Sequence, residues 1–200
     1  MKKSIVILSI LLTSQFCAAQ ERAATRNNSP VDFFKEDITL SVADSFASVS
    51  GTYYFRNNTE RDGKMPVMFP FYVDSSSLYP DTISIFVISG NDSTRLDYRN
   101  ARERNSIIIG IPLFSKLITI WHLDYRQKIL GNKATYILTS TAAWGAPLEE
   151  ATYKFIVPSS YEDVHVWPEA DTVIANGKMI KYEANRSNLM PAQNMTIEWK

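Results

Sequence analysis

The residues able to do chemistry in this 200-residue chain are few and scattered. It holds two histidines, His122 and His165, and one cysteine, Cys17. Nucleophilic catalysis needs a base beside the nucleophile, and histidine is the usual base. His122 lies in an alternating run, on the face opposite Trp121 and Leu123, and His165 lies between Val164 and Trp167. No Gly-x-Ser-x-Gly elbow accompanies either. Both read as surface or edge histidines, and no catalytic residue is assigned.

Metal binding asks for clustered ligands. The densest candidate is Glu162-Asp163-Val164-His165, followed by Glu169 and Asp171. Alternation places Asp163 and His165 on one face, but two ligands from one strand are too few to hold an ion. The expectation is a solvated outer face, with no metal and no cofactor. Carboxylate pairs for glycoside cleavage need not be neighbours in sequence. Asp74, Asp81, Glu149-Glu150 and Asp163 all sit beside turns, where acids also serve solubility alone.

Aromatic residues make up 12% of the chain, with four tryptophans. Trp121 and Trp199 fall on apolar alternating faces and are expected in the core. Trp144 sits in a loop, Ala142-Ala143-Trp144-Gly145-Ala146-Pro147. Gly145 and Pro147 fix the backbone around it, and Glu149 and Glu150 supply acceptors nearby. Trp144, Gly145, Pro147 and Glu149 are therefore the candidate ligand loop. The competing reading makes Trp144 a plug at one end of the fold, the commoner fate of so large an aromatic surface.

Residues 1–19 read as a secretory signal peptide. Lys2-Lys3 is a basic start, Ile5 to Leu12 an uncharged and mostly apolar stretch, and Cys17-Ala18-Ala19 a small-residue run before Gln20. The apolar stretch is shorter than the roughly 20 residues a bilayer span needs. Cleavage between Ala19 and Gln20 is expected, giving a periplasmic or extracellular product with no stable membrane anchor. Lipidation at Cys17 fits poorly, because bulky Phe16 precedes it.

Cleavage would remove two of 21 basic residues and leave 21 acidic ones, a balance near −2. Neither nucleic acid nor an anionic membrane is favoured by that charge. The remaining chain has no cysteine, so its core alone must hold it.

After a polar lead-in over residues 20–30, period-2 alternation dominates residues 31–200. Ala47, Val49, Gly51, Tyr53 and Phe55 share one face; Ile83, Ile85 and Val87 alternate likewise, as do Ile107, Ile109 and Ile111. Later runs centre on Leu117 to Tyr125, Tyr136 with Leu138, Tyr153 to Val157, Val164 with Val166, and Met195 to Trp199. Gly90-Asn91, Gly131-Asn132 and Asn176-Gly177 are tight-turn signals, and residues 99–104 read as a loop, with one helical turn as the alternative. About ten strands at this spacing predict an all-β, two-layer, mainly antiparallel β-sandwich, immunoglobulin-like without its disulfide. The predicted inward set is Val49, Tyr53, Phe55, Ile83, Ile85, Ile109, Trp121, Leu123, Leu138, Phe155 and Trp199.

Several segments carry a family resemblance. Tyr136-Ile137-Leu138 followed by Trp144-Gly145-Ala146-Pro147 and the strand at Tyr153, with Val49 to Asn57 and Phe69-Pro70-Phe71 earlier, resembles a group of uncharacterised exported bacterial β-sandwich domains. The resemblance implies a sandwich fold and brings no catalytic residues. Asp81-Thr82-Ile83, Asp92-Ser93-Thr94 and Asp171-Thr172-Val173 resemble O-glycosylation sites of exported Bacteroidetes proteins. They equally fit strand starts after turns.

The expected function is a non-catalytic binding module for an envelope protein or a glycan. The alternative is an accessory subunit of a cell-envelope assembly, docking by strand addition. A carbohydrate-active enzyme using scattered carboxylates is a third reading.

Overall fold

The computed structural model describes residues 29–200, so the leader and most of the lead-in lie outside it. Fourteen strands carry the described fold. They are β1 (Val31–Ala43), β2 (Phe46–Asn57), β3 (Gly63–Pro70), β4 (Thr82–Ser89), β5 (Asp92–Arg95), β6 (Tyr98–Ala101) and β7 (Ser106–Leu113). Then follow β8 (Ile118–Lys128), β9 (Lys133–Tyr136), β10 (Leu148–Pro158), β11 (His165–Trp167), β12 (Thr172–Asn176), β13 (Met179–Leu189) and β14 (Met195–Glu198). The all-β expectation holds. Among the described residues no helix is long and apolar enough to cross a membrane.

Eight strands form one sheet in the order β12-β13-β10-β1-β2-β8-β4-β5, and two three-stranded sheets run β11-β14-β9 and β3-β7-β6. One apolar cluster draws residues from all three. The alternation read from sequence is the cause: Ile38, Leu40 and Val42 of β1, Val49 and Phe55 of β2, and Leu123 of β8 all turn to the same buried side.

Several expectations need correction. The large sheet is mainly antiparallel, as expected, with one exception: β1 and β10 pair in parallel, Lys35 to Ser41 against Glu150 to Ile156. One edge of β1 is taken by its hairpin partner β2, and a parallel neighbour needs a long crossover. The chain between β2 and β10 supplies it. Trp199 follows the end of β14, is only half-buried, and stacks on Tyr161 at 5.0 Å. The other ten residues of the predicted inward set are buried. Residues 99–104 are not all loop: β6 takes the first three, and Arg102–Arg104 make a single 3-10 turn. Pro66 lies inside β3, which has only β7 as a neighbour, so its missing N–H faces an open edge.

Turn chemistry otherwise behaves as read. Gly177 takes φ +60° in the two-residue link between β12 and β13, and Gly90 takes φ +61° between β4 and β5. The three aspartate–hydroxyl patterns fall at strand starts: Thr82 opens β4, Asp92 opens β5 and Thr172 opens β12.

Candidate functional site

A β-bulge places the most unusual residue in the core. Register shifts between Phe33 and Lys35, where β1 carries one residue more than β2. Phe33 points inward, Phe34 and Lys35 both lie on the outer side, and Glu36 turns inward. Without the bulge the alternation set by Phe33 would send Glu36 to solvent. Phe34 is held outside by the Arg56 guanidinium, 4.2 Å from its ring centre.

Glu36 is 1% exposed. Tyr153 on β10 donates its hydroxyl hydrogen to Glu36 Oε1 at 2.8 Å. No Lys, Arg or His pairs with this carboxyl among the described residues. Burial drives its pKa up to about 7; the Tyr153 hydrogen bond opposes the rise and the charge of Asp37 adds to it. Burial likewise raises the Tyr153 hydroxyl, reinforced by the carboxylate beside it.

Glu36, Tyr53 and Trp121 lie in one row across β1, β2 and β8. Tyr53 stacks on Trp121 with ring centres 4.3 Å apart. Its hydroxyl reaches the Tyr136 hydroxyl at 2.8 Å. The indole Nε1–H of Trp121 is buried and finds no acceptor. An unmet buried donor of this kind costs about 1–3 kcal/mol.

These groups border a cavity of about 460 Å³ between the eight-stranded sheet and the smaller ones. Its floor is Glu36, Tyr53, Trp121 and Tyr136. Phe33, Phe55 and Phe69 make the walls, and Pro66, Met68 and Arg104 with Ser140 and Trp144 make the rim. The opening lies between the unpaired edge of β3 and the 3-10 turn Thr139–Trp144.

Trp144 closes part of that opening. Half-buried, it packs on Phe55 at 4.9 Å and Phe33 at 5.8 Å between ring centres. Gly145 ends the 3-10 turn in the left-handed region at φ +74°, its N–H bonded to Ala142 O. The rest of the predicted loop is not gathered at the cavity. Pro147 is exposed, and Glu149 is held by both guanidinium nitrogens of Arg56. Glu36, the polar group at the cavity floor, is missing from the sequence-based candidates. Its one legible signal is the Phe33-Phe34 pair ahead of an alternating run.

The other candidates lie elsewhere. On the outer face of the large sheet, Thr52 Oγ1 is 2.9 Å from His122 Nδ1, and Asp124 Oδ1 is 2.9 Å from Nε2. Ser50 also approaches Nε2, at 3.3 Å. Both strands here are interior, so their N–H groups are committed to the ladders and none is free to hold an oxyanion. His165 is exposed on β11, and Asp163 pairs with Lys200 at 2.9 Å. Among the described residues no three metal-ligand side chains cluster. Asp74 caps the turn at Ser76 and Ser77, Asp81 pairs with Arg126, and Glu150 pairs with Lys35.

No family model and no curated protein matches the chain. Solved structures do. A Legionella pneumophila protein described as a "putative nutrient binding protein" matches with a TM-score of 0.59 and 10% identity. The match covers 84% of this chain and 66% of that one. An M1 zinc metallopeptidase from Deinococcus radiodurans matches with a TM-score of 0.53 and 10% identity, over 84% of this chain and 42% of that one. At such identity the likeness is one of fold.

Proposed function

We propose that this chain is a non-catalytic binding module that takes a small, largely apolar organic molecule into the cavity between its sheets. One observation carries the reading: a cavity of about 460 Å³ walled by aromatic rings, with a buried carboxyl at its floor whose one hydrogen-bond partner is Tyr153. Ligand sites are concave and mostly apolar, with a few convergent polar groups and perturbed acids. A purely structural core of this length would gain by filling that volume and by replacing Glu36 with an apolar residue. The Legionella protein described as nutrient-binding has the same kind of fold, which is consistent with this reading.

The exported, periplasmic or extracellular setting that residues 1–19 suggest, and the kinship with uncharacterised exported domains, belong to the same proposal. So does the two-layer sandwich, supported by the one apolar cluster shared by all three sheets. The immunoglobulin-like form is kept only as face-to-face layers, since the large sheet has eight strands. Among the expected partners, glycans suit the cavity less well than apolar molecules, because its walls offer few hydrogen-bonding groups.

A neutral dye that fluoresces in apolar surroundings, N-phenyl-1-naphthylamine, tests the reading. Saturable binding at one site per chain, lost when Trp144 and Phe55 are both replaced by Ala in a folded variant, supports it. Absence of saturable binding overturns it.

An accessory role in an envelope assembly is favoured by a different observation. β12 ends the large sheet with a free edge, and Val173 and Ile174 on it are 58% and 44% exposed. Such an edge is a template for strand addition.

A further inference from the structure

We infer that the cavity is built for an organic cation, an ammonium group carried on an apolar body of about the size of one aromatic ring. This rests on the cavity being a ligand site and adds the charge of what enters it. Three observations converge. The Glu36 carboxyl lies at the floor with a single protein partner, the Tyr153 hydroxyl, and Oε2 accepts no hydrogen bond among the described residues. A buried carboxylate needs a cation or further donors, and the described residues supply no cation there. The second observation is what surrounds it: the rings of Phe33, Tyr53, Phe55, Trp121 and Trp144 border the same space. The faces of aromatic rings attract cations, tryptophan most strongly, and aromatic enclosures are the usual receptacle for ammonium groups.

The third is the placing of charge. Arg104, the one basic residue lining the cavity among the described residues, is exposed at the rim. The floor is reached past it, and among the described residues the ionisable groups facing Glu36 are Tyr153 from β10, Tyr53 from β2 and Tyr136 from β9, with Asp37 next to it on β1. None of these is basic; Arg186 of β13, whose charge reaches the Tyr153 hydroxyl, is bonded to Asp171 instead. His122 lies on the opposite face of the sheet and His165 on β11. An ammonium at the floor meets a carboxylate that folding has already stripped of water, so binding does not have to dehydrate that partner again.

Three molecules of one shape separate charge from apolar fit: phenethylamine, 2-phenylethanol and 3-phenylpropanoate. Calorimetric titration at pH 8 should find phenethylamine binding roughly tenfold tighter than the alcohol, a charge-assisted contact replacing a neutral one, with the carboxylate weakest. Glu36→Gln should erase the preference for the amine and leave the alcohol unchanged. Wild type supplies a second measure free of any folding defect in the variant. Lowering the pH from 8 to 5.5 should weaken the amine and not the alcohol, because Glu36 gains its proton over that range while the amine keeps its own. Equal binding of amine and alcohol, or tightest binding of the carboxylate, overturns the inference. Naphthylamine-dye binding with no binding of the three overturns it too and leaves the cavity as a ligand site. Failure of the dye as well removes both.

Discussion

Gly51 and Tyr53 share the inward face of β2, and the tyrosine ring lies where a side chain on Gly51 would be. A Cβ built at Gly51 comes within 2.7 Å of Tyr53 Cζ and closer still to its hydroxyl. The glycine thus lets the ring lie back along the strand, stack on Trp121 and reach Tyr136. Its reason is steric room rather than backbone freedom.

Gly51→Ala should therefore displace Tyr53, break its bond to Tyr136 and shrink or reshape the cavity floor. Overpacking of this kind costs about 1–3 kcal/mol, to which a lost buried hydrogen bond adds about 1 kcal/mol. Urea unfolding reads the sum. An unchanged midpoint would mean the ring has no fixed place there.

Glu36 makes stability depend on pH in a direction opposite to most acids. Its folded pKa of about 7 lies above the ordinary 4.5, so between those values the folded state binds more protons than the unfolded one. Stability from this group is greatest below pH 4.5, declines as pH rises, and reaches its full loss above about 7. The shift corresponds to roughly 3 kcal/mol. Glu36→Gln keeps an acceptor for Tyr153 and removes the ionisation. The variant should be more stable than wild type at pH 8 by up to about 3 kcal/mol, and the gap should close by pH 5. Equal stability at pH 8 would show that Glu36 titrates as an exposed acid does.

How much of this was legible in the sequence depends on the residue. Tyr53, Phe55 and Trp121 sit in unbroken alternation, and period 2 places each of them on the inner face. Glu36 escapes that logic because a bulge shifts the parity of β1 at Phe34, and a bulge leaves no fixed mark in composition. Trp144 was legible as a loop tryptophan braced by Gly145. What it faces is a long-range fact, decided by Phe33 and Phe55 from strands about 90–110 positions earlier. The parallel pairing of β1 with β10 is equally long-range, and alternation is blind to strand direction. Glu149 illustrates the opposite error: proximity in sequence suggested a shared site, whereas Arg56 holds it on the outer side.

The free edge of β12 should be open to strand addition while contributing little to the fold. All five of its side chains are exposed. Ile174→Lys should alter stability by less than about 0.5 kcal/mol, as surface changes do. The same charge on an exposed edge discourages pairing with another chain. If the edge docks a partner or a second copy, sedimentation of concentrated wild type should reveal an associated species that Ile174→Lys abolishes. A monomer in both cases, with no co-purifying envelope protein lost in the variant, removes the assembly reading.

Trp144 decides between a plug and a cavity wall. A fully buried tryptophan that merely filled the end of the fold would cost about 3–5 kcal/mol on truncation to Ala. Trp144 is half-buried instead, with one side against Phe33 and Phe55 and the other toward the opening. Trp144→Ala should cost less, about 1–3 kcal/mol, scaling with the smaller area removed. It should also weaken naphthylamine-dye binding, since the ring supplies part of the enclosing surface. Trp144→Phe, which keeps an aromatic face at smaller area, should recover most of both. The two readouts separate the roles. A loss above 4 kcal/mol with dye affinity intact in the folded fraction would make Trp144 a plug. A small loss with the dye released, and its recovery by Phe, would make it part of the ligand's enclosure. The ring's incomplete burial, together with its place in the cavity lining, favours the second result.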